Sequence, residues 1–205
     1  MTKRFLIIIS LFLFSLLANC AQEKKDSVTE GIKDFQQKLN LEYADVKTSP
    51  LTEEDAITFS KLDFYPIDKK YYVKASFKRT PNEKPFDMLT TTSRLAKYVK
   101  YGEADFFLDG KQHTLNIYQS ISLREKPEYK DYLFLPFTDK TSGKESYSGG
   151  RYIDLKIPKG DTIIIDFNKA YNPYCAYNHK YSCPIPPKGN YLNVEIKAGV
   201  KKYKK

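Results

Sequence analysis

The chain has 205 residues, 41% of them hydrophobic and 15% aromatic, which suits one domain with a real hydrophobic core. Its net charge is +9, of which Lys3 and Arg4 supply two, leaving +7 beyond the first stretch. Three cysteines exclude a disulfide-dense scaffold, and the export signal described next excludes nucleic acid as a partner.

Residues 1–19 read as an export signal. Lys3 and Arg4 form a basic start, and Phe5 to Leu17 is an apolar run of thirteen residues. A spanning helix needs about 20 apolar residues, so this run fits the core of a secretory signal instead. It ends Leu17-Ala18-Asn19-Cys20, which resembles a lipobox, although Asn19 stands where Gly, Ala or Ser is usual. The expectation is cleavage before Cys20, lipidation of that cysteine, and a membrane-anchored protein of the cell envelope. Ordinary cleavage near Ala18 or Ala21 is the alternative. Residues 20–27 then form a tether, 28–200 a single domain, and 201–205 a basic tail.

Within the domain, helices are expected over 28–62. Ser27-Val-Thr-Glu30 has capping-box spacing, and Ile32, Phe35 and Leu39 follow at helical intervals, predicting a helix over 28–41. Thr52-Glu-Glu-Asp55 after Pro50 predicts a second, short helix ending near Leu62. Residues 71–198 read as β-rich. Tyr71, Val73, Ala75 and Phe77 alternate with polar residues, as in a half-buried strand. Asp109-Gly110 between 95–108 and 112–118 is a hairpin signal, and a two-residue loop puts Ala104, Phe106, Leu115 and Ile117 on one face. His113 joins that face as a core residue. Tyr132 to Phe137 reads as a buried strand, and Leu192, Val194 and Ile196 as a last one. The fold class is mainly β, an antiparallel sandwich or open barrel with one or two N-terminal helices.

Residues 152–157 and 162–168 flank Pro158-Lys159-Gly160-Asp161, which predicts another hairpin. A three-residue loop sets Ile153 opposite Phe167 and Leu155 opposite Ile165, and makes Asp154 and Asp166 cross-strand neighbours. Like charges so placed destabilise a sheet unless compensated. The readings are an acid–base pair, a hard-cation site using Asp154, Asp166 and Asn168 oxygens, or a structural bridge through Arg151, a lysine or backbone amides. Downstream, 166–187 concentrates Asp166, Asn168, Tyr171, Asn172, Cys175, Tyr177 and Cys183 in a long connection of the kind that often carries function. Cys175, His179 and Cys183 match no known zinc spacing; a disulfide between Cys175 and Cys183, or two packed thiols, fits better. No G-x-S-x-G elbow or Gly-rich phosphate loop occurs, and the residues name no cofactor.

Several stretches together carry a resemblance. They are Phe64-Tyr-Pro-Ile-Asp68, Phe134-Leu-Pro-Phe-Thr-Asp139, Thr141-Ser-Gly-Lys-Glu-Ser-Tyr147, Gly149-Gly-Arg-Tyr-Ile-Asp154, Asp166-Phe-Asn-Lys-Ala-Tyr-Asn-Pro173, Cys175-Ala-Tyr177 and Cys183-Pro-Ile-Pro-Pro187. Over residues 55–200 the chain resembles the bacterial family of unknown function numbered 1684. The resemblance implies a typical pattern at Arg151, Tyr152, Asp154, Asp166, Asn168, Asn172, Cys175 and Cys183, and no activity. The expected function is binding of a small ligand or an anionic envelope polymer. Arg151 would hold an anionic group, Tyr152, Tyr171 and Tyr177 would stack, and Asp154, Asp166, Asn168 and Asn172 would fix hydroxyls or amides. The alternatives are a hydrolase using Asp154 and Asp166, with or without a divalent cation, and an interaction scaffold.

Overall fold

The computed structural model describes residues 26–204. The expected export signal, with Cys20 as its expected lipidation site, lies outside the described residues. Among the described residues no helix is long and apolar enough to cross a membrane.

Helix α1 runs Ser27–Ala44 and α2 runs Glu53–Thr58. The N-cap of α1 is Asp26, one residue before the capping box read from the sequence, and the Thr29 hydroxyl bonds its carboxylate. Thr52 caps α2 by accepting from the Asp55 N–H at 3.1 Å. That helix stops at Thr58, short of the expected Leu62, because the chain turns extended at Phe59 (φ −66°, ψ 126°).

Eight strands follow: β1 (Tyr72–Arg79), β2 (Phe86–Met88), β3 (Ala96–Leu108), β4 (Lys111–Ser120), β5 (Tyr132–Asp139), β6 (Arg151–Lys156), β7 (Thr162–Asp166) and β8 (Tyr191–Leu192). The sheet order is β6-β5-β4-β3-β1-β7, with β2 on β3 and β8 on β5. All pairings are antiparallel except β5 with β8. The sheet curls into a half-barrel, so of the two expected architectures the open barrel is the one formed.

The β3–β4 hairpin has the register that the Asp-Gly turn dictates: Leu108 pairs with Lys111, Phe106 with His113 and Ala104 with Leu115. Asp109 and Gly110 both take positive φ (49° and 73°), which a two-residue hairpin turn of this hand requires. His113 is half-buried and stacks on Phe106, with ring centroids 5.6 Å apart.

The hairpin expected over 152–168 does not form. β6 pairs with β5, setting Asp154 opposite Phe134, while β7 pairs with β1, setting Asp166 opposite Tyr72. Asp154 and Asp166 therefore sit on opposite edges of the sheet order and are not neighbours. The alternation itself holds, since Ile153, Leu155, Ile163 and Ile165 all face the core. Period two specifies a strand's buried face and leaves its partner open. The last strand is also shorter than expected. Only Tyr191–Leu192 pairs, although Leu192 and Ile196 are buried and Asn193 and Glu195 exposed in the alternation read from the sequence.

One face of the half-barrel holds the main core, from Val73 and Ala75 through Leu115 and Ile117 to Leu133, Leu135 and Phe137. The other face of β3, β5 and β6 carries a second, aromatic cluster of Tyr98, Phe134 and Tyr152, with Tyr118 of β4. Strand β5 is thus apolar on both faces, as a strand covered on both sides must be. The cover is the segment 169–187 and, beyond it, α1.

Candidate functional site

The covering segment is fixed at several points along its length. Tyr171 bridges to the free edge of β6, with Tyr152 N–H donating to Tyr171 O at 2.9 Å and Tyr171 N–H to Tyr152 O at 3.0 Å. This closes an edge that would otherwise offer unpaired backbone. Thr91 N–H donates to Cys183 O at 2.9 Å, and Ile185 N–H to Leu89 O at 2.8 Å. The Tyr152 hydroxyl bonds Pro184 O. On the far side, Tyr174 donates to Glu42 Oε1 of α1 at 2.6 Å. Between these attachments the segment arches, and a cavity of about 330 Å³ remains beneath it. Its floor is Tyr98, Tyr132, Phe134, Tyr152 and Asp154 of the sheet; one wall is Phe35, Leu39 and Glu42 of α1; the other is Tyr171, Pro173, Tyr174, Cys183 and Pro184. The volume sits at the small end of the range for ligand pockets, about 300–1,000 Å³.

Asp154 is the polar centre of this cavity. Its Oδ1 accepts from the Tyr171 hydroxyl at 2.6 Å and the Tyr132 hydroxyl at 2.8 Å. Each donor follows from the fold: Tyr132 lies on the adjacent strand β5, and the Tyr171 bridge to Tyr152 sets its ring beside the same edge. Many protein atoms surround Asp154, yet its surface is accessible, because those atoms form the wall of an open cavity. Crowding by protein raises the Asp154 carboxyl above its usual value, the two tyrosine hydrogen bonds pull it back, and the Glu42 charge pushes it up again. The tyrosines themselves are held protonated. Burial pushes Tyr98 up to about 12, and burial, then the Asp154 charge, drives Tyr132 and Tyr171 well above the ordinary range.

A carboxyl raised in the folded state binds protons there that it releases when unfolded. Its contribution to stability is therefore greatest below the unfolded value of 3.8 and is lost as pH climbs through the raised value. Asp154→Asn, which keeps an acceptor for both tyrosines, is expected to melt higher than the wild type at pH 7. The gain should be at most about 4 °C, the effect of roughly 1 kcal/mol in a chain of this size, because cavity water screens the charge. The two proteins should converge near pH 3. Melting curves across pH test this, and a variant that melts lower at pH 7 would show that the carboxylate is stabilising.

The other residues singled out from the sequence lie elsewhere. Arg151 is fully buried beside Asp139 (3.3 Å), donates to Ile196 O at 2.8 Å and bonds Ala198 O, so it faces no cavity. Asp166 caps the turn that follows β7, accepting from Asn168 N–H at 3.1 Å and Asn168 Nδ2 at 3.0 Å. Asn168 in turn exchanges two 3.0 Å bonds with the Asp68 backbone. Asn172 donates to the Tyr177 hydroxyl at 3.2 Å and to Lys201 O at 2.9 Å, inside the core under α1. Of the expected set, the cavity brings together Tyr152, Asp154 and Tyr171. Sequence reasoning missed Glu42, Tyr98, Tyr132, Phe134 and Tyr174. The available signal was the apolar character of β5 on both faces, which demands a second covering layer.

Cys175 and Cys183 are buried thiols lying together, with Cys175 N–H donating to the Cys183 sulfur at 3.2 Å and Tyr147 Oη 3.8 Å from the Cys175 sulfur. Hydrogen bonding from Cys183 and Tyr147 lowers the Cys175 thiol, and the coupled Cys183 thiol is correspondingly pushed up. His179 is exposed, and among the described residues no three of His, Cys, Asp and Glu are grouped to share a cation.

A second, wider concavity of about 530 Å³ lies at the turn of β3–β4, with Lys70, Lys111, Lys140 and Lys197 around it. Its charges are partly neutralised locally, Lys70 by Asp109 (3.6 Å) and Lys197 by Glu145 (3.2 Å) and Glu195 (3.3 Å). Exposed pairs of this kind are ordinary solvated surface.

The family model described as "Protein of unknown function (DUF1684)" matches residues 57–201. A solved structure, the solution NMR structure of the uncharacterized protein from gene locus rrnAC0354 of Haloarcula marismortui, is 31% identical, covers 87% of this chain and 96% of its own, and superposes with a TM-score of 0.68. Among curated proteins no sequence matches this chain.

Proposed function

The chain belongs to the family of proteins of unknown function DUF1684, a family described without a reaction, and on that premise we propose that it is a small-ligand-binding protein of the cell envelope. The export signal and Cys20 support the location: a lipidated N-terminus would hold the domain at a membrane surface. One observation carries the binding reading. The carboxylate of Asp154 is oriented by two tyrosine hydroxyls at 2.6 and 2.8 Å inside an aromatic cavity of ligand size. A carboxylate with a raised protonation range, set at the accessible wall of a cavity, is the kind of group that clusters at function-bearing sites. The Asp154/Asp166 pairing on which the hydrolase reading rested is absent, because Asp166 is across the sheet.

A thermal-shift screen of the purified protein tests this, with sugars, organic amines, nucleotides, organic anions, and divalent metals with and without EDTA. A ligand at about 100 times its dissociation constant adds roughly 2.7 kcal/mol to the folded state, a shift of several degrees. The expected hit loses its shift in Asp154→Asn. A hit indifferent to Asp154→Asn, or a panel that moves nothing, would contradict the proposal and leave an interaction scaffold as the better reading.

A further inference from the structure

We infer that the ligand of this cavity is a compact organic cation, a protonated or quaternary amine attached to a small apolar group. The inference rests on the reading of the cavity as a ligand site and adds its chemistry. A chain of net charge +9 places two carboxylates, Asp154 and Glu42, in this cavity and, among the described residues, no lysine, arginine or histidine. The tyrosine hydrogens nearest the carboxylates are already committed, from Tyr132 and Tyr171 to Asp154 Oδ1, and from Tyr174 to Glu42 Oε1. Asp154 Oδ2 and Glu42 Oε2 accept nothing from the described residues, so the cavity chiefly offers acceptors and negative charge. A carboxylate or phosphate would meet like charge. A sugar needs donors as well as acceptors, and few remain.

The apolar lining points the same way. Tyr152 packs edge-on to Phe134 (4.7 Å, 75°) and to Tyr171 (5.9 Å, 87°), and Tyr98 lies 5.5 Å from Phe134. Tyr152 stands at a steep angle to both neighbours while Tyr98 is tilted 32° from Phe134, and the faces of aromatic rings lining a cavity attract a cation through their quadrupoles. The raised Asp154 carboxyl agrees with this, since a bound cation would supply the compensation that the protein withholds.

Isosteric probes test the class. Choline and its neutral carbon analogue 3,3-dimethyl-1-butanol differ by one charge, as do benzylamine and benzyl alcohol; phenylacetate supplies the anion. Binding to the purified protein is followed by the aromatic ring signals of its NMR spectrum and by titration calorimetry. The expected result is binding of a cation at least tenfold tighter than its neutral partner, weakened at least tenfold in Asp154→Asn and also in Glu42→Gln. Neutral or anionic probes that perturb the same rings as well as or better than the cations would overturn the cation class and leave the pocket reading standing. Probes of all three charges that leave the rings unmoved would overturn both.

Discussion

Arg151→Met is expected to destabilise the protein by roughly 3–5 kcal/mol, the usual cost of stranding one partner of a buried ion pair. The side chains of Arg151 and Asp139 are both fully buried. Asp139 also accepts from Ile196 N–H at 2.7 Å, Thr141 N–H at 3.2 Å and the Ser142 hydroxyl at 3.2 Å. Arg151 reaches the carbonyls of Ile196 and Ala198 from the same side. The pair therefore fastens the C-terminal segment to the ends of β5 and β6, and its loss frees that segment while leaving a carboxylate in the core. Arg151→Met combined with Asp139→Asn removes the stranded charge and keeps an acceptor for Ile196, so the double variant should be more stable than the single one. Urea unfolding of the three proteins measures this. A single variant that unfolds with the wild type, yet loses binding of an anion, would restore the ligand role that the sequence suggested for Arg151.

The second large effect is expected at Gly199. Its φ is +76°, and an added Cβ would lie 2.4 Å from Ala170 O, 2.8 Å from Phe167 O and 2.9 Å from Ala170 Cβ. Gly199 sits where the C-terminal segment crosses the turn after β7, with Val200 N–H donating to Ala170 O at 2.8 Å and Tyr65 N–H to Gly199 O at 2.9 Å. Gly199→Ala combines a left-handed penalty of about 1–2 kcal/mol with overpacking of about 1–3 kcal/mol. The expected total is roughly 2–5 kcal/mol. Gly160→Ala is the control, since a Cβ there meets nothing within 4 Å. It should be neutral or stabilising by up to about 1 kcal/mol. Equal melting temperatures for the two variants would mean that the crossing is looser than described.

Legibility from the sequence followed locality. The β3–β4 register was readable because Asp109-Gly110 sets it within a few residues. The buried faces of β6 and β7 were readable from alternation, but their partners β5 and β1 are chosen by sheet closure, which no local pattern encodes. The same gap misplaced Arg151: its acceptors at Asp139, Ile196 and Ala198 are remote in sequence, and an arginine beside two glycines looks free without them. Part of the cavity was visible as Tyr152, Asp154 and Tyr171, in or near the dense stretch 166–187. Glu42 on α1, with Tyr98, Tyr132 and Phe134 on the sheet, joins it only once α1 and the covering segment come to lie over the aromatic face of the sheet.

The most direct measurement is residue-resolved chemical-shift mapping of the purified protein with the same amines, alcohols and acids. The account predicts that perturbations concentrate on Tyr98, Tyr132, Phe134, Tyr152 and Tyr171 around Asp154. Perturbations gathered instead at Lys70, Lys111, Lys140 and Lys197, or spread without a centre, would contradict it.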